Sequence, residues 1–323
     1  HLGYIKRTPL SEFRTQGRGG IGSKGSDTRD EDFLEQVFIA SMHNTLLLFT
    51  EQGKCYWLKV YQIPEGARTS KGRAVQNIIN IAPDDQILAF LRVKTLSDEQ
   101  FINNHYILLA TRKGVIKKTK LEAYSRPRQN GVNAINIREG DKLLEARLTD
   151  GSSEVLLAVR SGKAIRFNES KVREMGRTAT GVRGIKLADE NDEVIGMVCL
   201  KNGSEDILVI SENGYGKRSL LEDYRITNRG GKGVKTINIT KKTGALMAIK
   251  SVSNDNDLMI ITQQGLTIRL AVRTISMLGR ATQGVRLINL KEEDSIASVA
   301  RIVNETVEAE ELDENDMDVG DNE

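Results

Sequence analysis

The residues best suited to chemistry in this sequence are lysines and arginines that recur at fixed distances from six turn glycines. The turn glycines are Gly3, Gly53, Gly114, Gly162, Gly214 and Gly265. Four residues after them stand Arg7, Trp57, Lys118, Arg166, Arg218 and Arg269, five of which are cationic. Cations at one register, with no matching acids at that register, are suited to binding the phosphates of a polyanion.

Further cations extend this pattern and define what we call the basic perimeter. An arginine follows each turn glycine by about fifteen residues, at Arg18, Arg68, Arg128, Arg177, Arg229 and Arg280. Two residues past a later glycine stand Arg183, Lys235 and Arg286. We also assign to the perimeter the neighbouring cations Lys6, Arg73, Lys117, Lys217 and Lys232. The alternative is that all of these occupy ordinary solvated strand positions.

A search for catalytic groups finds none. The three histidines, His1, His43 and His105, are isolated from cysteines and carboxylates at metal-ligand spacing. The glycine-rich run at 229–233 lacks the Ser or Thr that a phosphate-binding Walker loop requires. The sequence therefore predicts no catalytic residue, no metal site and no cofactor in this chain.

The charge distribution separates a basic body from an acidic end. The formal charge is +3, but residues 305–323 hold ten of the 44 acidic residues and no Lys or Arg. Residues 1–304 therefore carry 47 minus 34, or +13. We expect 305–323 to be a disordered tail that competes with a polyanion for the body, and the alternative is a tail that only aids solubility.

Composition excludes several other classes of protein. No apolar stretch approaches the ~20 residues of a membrane helix, and the first ten residues lack the apolar core of a signal peptide. Cys55 and Cys199 are far apart in the sequence, and we interpret them as buried thiols in a reducing compartment. We therefore expect a cytoplasmic protein.

Internal repetition is the strongest structural signal. An apolar run, a short polar turn ending in glycine and a second strand recur in TLLLFTEQGKCYWLKV, YILLATRKGVIKKTKL, EVLLAVRSGKAIRFNES, DILVISENGYGKRSLL and DLMIITQQGLTIRLAV. The turn glycines are 50, 61, 48, 52 and 51 residues apart, and the copy at Gly3 lacks its leading strand. Below, the repeats are numbered one to six by these glycines.

Each repeat goes on to a β-rich segment and a fourth apolar strand. Close copies of the β-rich segment are VNAINI, VRGIKL, VKTINI and VRLINL. Four short strands per repeat with turns between them predict one propeller-type blade. We therefore expect an all-β, six-bladed β-pinwheel or propeller-like fold of four-stranded antiparallel blades over residues 1–304, with almost no helix.

These repeats resemble the C-terminal domain of the DNA gyrase A protein over essentially the whole chain. The resemblance is carried by the hairpin ENGYGKR, by NESKVREMGRTATGVRGIKL and by the loop of the first repeat. In that family the first loop holds a seven-residue box, Gln-Arg-Arg-Gly-Gly-Lys-Gly, needed for wrapping DNA. The matching residues here are Gln16, Gly17, Arg18, Gly19, Gly20, Ile21, Gly22, Ser23, Lys24 and Gly25.

The box departs from the family pattern in two ways. Gly17 replaces an arginine, and residues 21–23 interrupt the run before Lys24 and Gly25. The loop Arg229-Gly230-Gly231-Lys232-Gly233 copies the compact pattern more closely. We favour the first loop, because the resemblance places it where wrapped DNA ends its circuit.

The resemblance implies a function without chemistry in this chain. It implies binding, bending and wrapping of duplex DNA without sequence preference, in support of negative supercoiling by an ATP-dependent type IIA topoisomerase. ATP and magnesium would act in other parts of the holoenzyme, and the partners would be duplex DNA, the remainder of gyrase A, and gyrase B. The domain alone would be monomeric, away from membranes, and cytoplasmic at the nucleoid.

Two other interpretations remain open. The C-terminal domain of the topoisomerase IV A protein shares the blades, but its box is degenerate and its repeats are often fewer. A propeller-type protein-interaction platform would show cations without a common register. The repeat count and the first loop favour the gyrase-type domain.

Overall fold

The strands of the described chain form five β-sheets of three or four strands and one two-stranded sheet. The structure, a computed structural model, describes residues 3–9, 40–67, 70–201, 205–264, 267–291 and 293–302. The chain divides into two compact units. The first comprises His1–Val159, Ile165–Lys201 and Ile226–Gly233, and the second comprises Arg160–Ala164, Asn202–Arg225 and Val234–Glu323.

Twenty-one strands are present in the described residues. Those up to residue 200 are β1 (Tyr4–Ile5), β2 (Thr45–Thr50), β3 (Lys54–Lys59), β4 (Arg73–Ala74), β5 (Ile87–Val93), β6 (Tyr106–Thr111), β7 (Val115–Lys120), β8 (Val132–Asn133), β9 (Leu143–Thr149), β10 (Glu154–Val159), β11 (Lys163–Asn168), β12 (Val182–Arg183) and β13 (Val194–Leu200). The others are β14 (Asp206–Ser211), β15 (Tyr215–Ser219), β16 (Val234–Lys235), β17 (Leu246–Val252), β18 (Asp257–Thr262), β19 (Thr267–Ala271), β20 (Val285–Arg286) and β21 (Ile296–Ile302).

Helical structure in the described chain is short. One α-helix, α1 (Glu99–Asn104), precedes β6, and its N-cap Asp98 accepts from the Phe101 N–H. Six 3-10 turns follow strands, at Val60–Gln62, Val75–Asn77, Leu121–Tyr124, Glu169–Lys171, Leu221–Asp223 and Val272–Thr274. The prediction of an all-β fold with little helix is confirmed.

The hairpins form at the predicted turn glycines. Gly53 and Gly114 have φ of 85° and 83°, a region that only glycine enters at low cost. A Cβ at Gly53 would lie 2.8 Å from the carbonyl oxygen of Ile135, and one at Gly114 2.9 Å from that of Ile185. Space as well as backbone conformation therefore requires glycine at both turns.

The outer strand of each four-stranded sheet comes from the following repeat. In this way β8 pairs with β3, β12 with β7, β16 with β11 and β20 with β15. The resulting orders are β5-β2-β3-β8, β12-β7-β6-β9, β13-β10-β11-β16 and β17-β14-β15-β20. The β-rich segments thus contribute only a two-residue strand each, and they give it to a neighbouring blade.

The predicted count of six blades is wrong. The described residues form five blades, the last of them three-stranded in the order β19-β18-β21. The described residues of the first repeat, 3–9, contain β1, which pairs with β4 in a two-stranded sheet. In the described residues the first repeat thus contributes to a two-stranded sheet but not to a blade of three or four strands, so the number of blades described is smaller than the number of turn glycines.

The core of each unit lies between consecutive sheets. In the first unit, Leu47 and Phe49 of β2 pack with Leu109 of β6 and with Tyr124, whose ring meets that of Phe49 edge-on at 5.9 Å. In the second unit, Leu208 and Ile260 belong to one buried cluster with Val299. Because β2 and β6 are covered on both faces, they read as continuous apolar runs rather than alternating ones.

An aspartate before the last strand of a repeat fixes the hairpin turn. The Asp85 carboxylate accepts from the backbone N–H of Gln52 at 3.1 Å, and Asp294 does the same for Gln264. Asp141 occupies the equivalent place beside Lys113. The first strand of each hairpin also carries a register shift at its turn end, as between Phe49 and Thr50. The aspartate hydrogen bonds and the register shift fix the orientation of the hairpin turns, and neither was predicted from the sequence.

Candidate nucleic-acid interface

Three of the side chains four residues after the turn glycines donate to the following repeat. The Arg7 Nε donates to the carbonyl of Ile63 at 2.8 Å. The Arg218 Nε donates to the equivalent carbonyl of Ile275 at 2.9 Å. Trp57, the exception in the cationic series, donates its Nε1 to the carbonyl of Tyr124 at 2.8 Å. What these three positions share is therefore an N–H donor that joins adjacent repeats, with or without a charge.

No acid stands at this register, but acids at other positions form ion pairs with its cations. The ion pairs are Arg7–Glu65, Lys118–Glu169, Arg166–Glu154, Arg218–Asp206 and Arg269–Asp257. In the last three, the acid lies twelve residues before the arginine, diagonally across the hairpin. Lys118 has Tyr106 at that place and lies 4.3 Å from its ring centroid.

Four members of the predicted perimeter lie in the interior. Lys117 and Lys217 are 0% exposed, Arg218 is 6% exposed and Lys118 is 7% exposed. They cannot contact a phosphate backbone from these positions, so their assignment to a surface is corrected. The physical reason is that each meets carbonyls, a hydroxyl or a carboxylate inside the fold, as the desolvation of a charged group requires.

The remaining described members divide by exposure. Exposed side chains belong to Arg73, Arg128, Arg183, Lys232, Lys235, Arg269 and Arg286. Partly buried ones belong to Lys6, Arg7, Arg166, Arg177, Arg229 and Arg280. Arg183, Lys235 and Arg286 end the exchanged strands β12, β16 and β20, so a two-residue strand brings one exposed cation to the outer edge of each of three sheets.

The loop arginines hold the preceding repeat. Arg229 donates from Nε to the Lys171 carbonyl at 2.9 Å and from Nη1 to the Arg183 carbonyl at 3.0 Å. Arg280 makes the equivalent bonds to Asp223 at 3.0 Å and to Lys235 at 2.7 Å. Each guanidinium has five N–H donors, and Arg229 and Arg280 remain partly exposed. These arginines can therefore both tie repeats together and present charge outward.

Two cations of the second unit, Arg286 and Lys242, lie close to the side chain of Tyr215. Arg286 donates from Nε and Nη2 to the Tyr215 hydroxyl at 3.1 and 2.8 Å. The Lys242 Nζ lies 5.3 Å from the centroid of the same ring. The pair Lys241 and Lys242 stands in the turn before β17, where the equivalent turn of the second repeat has Asp84 and Asp85. The phenol ring therefore fixes one cation and approaches a second.

Several exposed cations were not identified from the sequence. Arg173 and Arg225 each lie eleven residues after a turn glycine, and Arg126 lies twelve after its own. All three are exposed and stand between the 3-10 turn and the loop arginine of their repeats. A second cation in that interval was the available signal.

Some predicted residues lie outside the described chain. They are Arg68, the box residues Gln16 to Gly25 and the acidic segment 305–323. Their assignments remain predictions.

No group of three or more His, Cys, Asp or Glu residues suited to a metal ion occurs in the described chain. His105 stacks on Phe101 at 4.0 Å and its Nδ1 lies 2.8 Å from the Phe101 carbonyl oxygen. Cys55 and Cys199 are free thiols, and burial raises the pKa of Cys199 to about 12. None of the described helices is long and apolar enough to span a membrane.

Antiparallel sheets built on six repeats, with strands exchanged between neighbours, define a β-propeller-like repeat protein. The sequence matches the family described as DNA gyrase C-terminal domain, beta-propeller, over residues 1–41, 44–94, 105–150, 153–201, 205–253 and 256–302. The chain therefore belongs to this family.

Similar proteins agree with this assignment. The chain is 45% identical to the DNA gyrase A protein of Staphylococcus aureus strain NCTC 8325 / PS 47 over 303 residues. That match covers 94% of this chain but only 34% of the relative's length. A solved C-terminal domain of DNA topoisomerase IV superposes with a TM-score of 0.80 at 25% identity, covering 97% of this chain and 95% of the other. A solved DNA gyrase A C-terminal domain shares the fold, with a TM-score of 0.72 at 24% identity over 94% and 97% of the two chains.

Proposed function

We propose that this chain binds, bends and wraps duplex DNA without sequence preference, and that it supports negative supercoiling by a gyrase holoenzyme. The observation that carries the proposal is the set of exposed cations at one register on the exchanged strands β12, β16 and β20, in a member of the gyrase C-terminal family. Exposed loop cations such as Arg128 and Lys232 add to this set.

The DNA contacts are to phosphates rather than to base edges. Lysine and arginine neutralise phosphates and release condensed counterions, which gives affinity that does not depend on sequence. Bending 20–30 base pairs by 40–90° costs about 1–6 kcal/mol. Several phosphate contacts on separate repeats offset that cost, because each holds the duplex at a different point of the bend.

The chemistry of supercoiling lies outside this chain. The relatives are about three times as long as this chain, which matches 34% of their length. The name of the relatives and the description of the family as a C-terminal domain support placing the chain in the C-terminal part of a gyrase A protein, with the rest of that protein and gyrase B as its partners. ATP and magnesium act there, the isolated domain is a monomer, and its place is the cytoplasm, at the nucleoid.

The first loop holds one end of the wrapped DNA. Its residues Gln16 to Gly25 combine two cations with glycines on both sides of Arg18 and beside Lys24, and glycine lets the backbone approach a phosphate closely. The loop Arg229–Gly233 is the second candidate for this role. There Arg229 is committed to two carbonyls of the preceding repeat while Lys232 is exposed.

A second candidate function is that of the topoisomerase IV C-terminal domain. The TM-score of 0.80 to such a domain favours it. It too binds DNA in this proposal, but without the wrap that changes plasmid topology. The 45% identity to the DNA gyrase A protein supports the first candidate.

Two measurements test the proposal. DNA affinity should fall steeply with salt, with a slope of log affinity against log salt of roughly 0.9 per phosphate neutralised. A relaxed plasmid religated with the chain bound should change its linking number. A flat salt response contradicts DNA binding, whereas salt-dependent binding without a topology change selects the topoisomerase IV-type alternative.

A further inference from the structure

The third residue after the turn glycine alternates between lysine and an apolar side chain along the repeats. Repeats one, three and five have Lys6, Lys117 and Lys217 at this position, whereas repeats two, four and six have Tyr56, Ile165 and Ile268. The position lies beneath the arginine-bearing loop of the following repeat. The alternation therefore divides these loops into two kinds.

Each of the three lysines reaches into the next loop and binds its backbone. The Lys217 Nζ donates to the Gly279 carbonyl at 2.6 Å and to the Thr282 hydroxyl at 3.0 Å. The Lys117 Nζ donates to the carbonyl of Arg177 and, at 2.6 Å, to that of Ala134. The first of these loop contacts is next to Arg280, and the second is at the loop arginine itself.

Lys6 makes the same kind of contact in the first unit. Its Nζ donates to the carbonyls of Ala67 and Ser70, at 3.0 and 2.8 Å, which flank position 68. The loops of repeats four and six thus receive an ammonium group beside their arginine, and the described ends of the loop of repeat two receive one as well. These loops read GARTSKG, GRTATG and GRATQG.

At this register, Tyr56 and Ile165 hold the intervening loops by van der Waals contact rather than by a hydrogen bond. A Cβ at Gly131 would lie 2.7 Å from Cε1 of Tyr56, and one at Gly231 would lie 3.4 Å from Cδ1 of Ile165. These loops lie directly on the side chain beneath them, and glycine at Gly131 leaves room for the Tyr56 ring. They have no ammonium group from this register to bind their carbonyls, because the residue there is Tyr56 or Ile165.

Burial makes the lysines expensive to place, so their contacts must be favourable. Lys117 and Lys217 are 0% exposed, and an ammonium group without partners loses its hydration at a large cost in free energy. Lone pairs of loop carbonyls and of a hydroxyl replace that hydration. If the loop moved away, water would have to enter or the ammonium would lose its partners. The lysine and the loop therefore hold each other in place.

We propose that Lys117 and Lys217 are positioning residues that fix the arginine-bearing loops of repeats four and six as rigid DNA contacts. This inference rests on the proposed DNA-binding function. The loops of repeats three and five, which lie on Tyr56 and Ile165, lack this ammonium contact and adapt more readily to the duplex, although Arg229 still bonds the loop of repeat five to the preceding repeat. Rigid and adaptable contacts then alternate along the chain, so the fixed arginines set the spacing at which phosphates are held.

Hydrogen exchange tests whether the buried lysine holds the loop of the following repeat in place. Lys217→Ile places at this register the side chain that repeats four and six already carry, so the blade should still fold. We expect amide protection in 279–284 to fall about tenfold, as the loss of one or two hydrogen bonds predicts, while 176–181 and 226–233 keep theirs. Lys117→Ile should loosen 176–181 and leave 279–284 unchanged. Lys186→Ile, which removes an exposed lysine, should change none of these loops.

The pH dependence of amide protection in the loop distinguishes stabilisation by the lysine amine from stabilisation by packing of the loop alone. Desolvation by burial lowers the pKa of Lys217 to about 8, with Asp223 raising it and Arg280 lowering it further. Burial, followed by the charge of Arg177, lowers the pKa of Lys117 to about 7. An opened loop returns the amine to water and to its ordinary pKa near 10.5. The closed loop therefore binds fewer protons, and its protection should rise as pH increases from about 7 for Lys117, or about 8 for Lys217, towards 10.5. The neutral amine keeps two N–H donors, so it still bonds to the same loop oxygens. Both isoleucine variants should lose this rise.

DNA binding by the same variants completes the test. We expect Lys217→Ile to weaken affinity several-fold without changing the salt slope, because the buried amine contacts no phosphate. A slope lower by about 0.9 would mean that Lys217 reaches DNA itself, and unchanged exchange in 279–284 would mean that the lysine does not hold the loop in place; either result overturns the inference. If the parent chain fails to bind DNA, the proposed function is wrong even where the exchange results hold.

Discussion

Arg218 shows what a cation at the fourth register position does in this fold. Arg218 is 6% exposed, and its guanidinium donates to the Ile275 carbonyl, to Asp206 and to Asn254 at 2.9, 3.0 and 2.6 Å. A buried charge is tolerated when its donors are satisfied in this way. Lys118 reaches a similar state with Glu169 and the Tyr106 ring, and Trp57 does so without charge. The register therefore selects a donor that clasps two repeats, rather than a cation for a ligand.

Arg218→Ala should lower the free energy of unfolding by about 3 kcal/mol, because it leaves the Asp206 carboxylate in a partly buried place without its partner. The matched control is Arg183→Ala, which removes an exposed arginine. That variant should stay within about 0.5 kcal/mol of the parent and should instead lower the salt slope of DNA binding by about 0.9. Urea denaturation and DNA titrations of both variants give the comparison. If Arg218→Ala keeps the stability of the parent and behaves like the surface variant, Arg218 does not stabilise the contact between the two repeats.

At the scale of elements, the exchanged strand links architecture to the proposed function. Each exchanged strand is two residues long and pairs next to a hairpin turn, as Val182 and Arg183 do with Ile116 and Val115. The loop before it must cross the edge of the preceding blade, and its arginine bonds to that blade on the way. The loop is thereby both the fastening between repeats and the segment that brings cations to the surface. Loops at equivalent positions can still differ in function, because their own residues decide how much charge is left exposed.

The first loop and the loop of repeat five should respond differently to loss of charge. Replacing Arg18 and Lys24 together with alanine should weaken binding modestly, because the other cations remain, but should abolish the change in plasmid linking number. Lys232→Ala, which removes an exposed lysine from the more compact motif, should preserve that change. Plasmid topology assays on both variants decide between the loops. If the topology change survives the first substitution and is lost in the second, residues 229–233 hold the DNA end.

At the scale of the whole molecule, local features were predictable and non-local ones were not. The hairpins follow from Gly53 and its equivalents, because a positive φ in a tight turn is a local requirement. The exchange of β8 into the sheet of β3 pairs residues far apart in the chain, such as Lys54 with Asn133, and no periodicity reports it. The burial of Arg218 was missed because a polar residue in a strand reads as outward-facing. The acid twelve residues earlier, Asp206, was the available sign of a cross-hairpin pair.

The net charge of the molecule gives a last prediction about residues 305–323. These residues carry ten carboxylates and no cations, against a body of formal charge 47 minus 34, or +13. Because they are tethered to that body, their effective concentration near the exposed cations is high. We expect them to compete with DNA phosphate, as an intramolecular polyanion does, and the competition should fade as salt shortens the Debye length from about 10 Å at 0.1 M.

Truncation after Asn304 separates this competition from a role in solubility alone. The truncated chain should bind DNA more tightly than the parent at low salt, because its cations no longer face a tethered competitor. The two affinities should converge at high salt, where screening weakens tail and DNA contacts alike. A matched variant with the ten acidic residues of 305–323 changed to glutamine and asparagine keeps the length of the segment and removes its charge. It should behave like the truncation, since the effect comes from charge and not from bulk. Equal affinities of all three proteins at every salt concentration would remove the tail from the binding equilibrium.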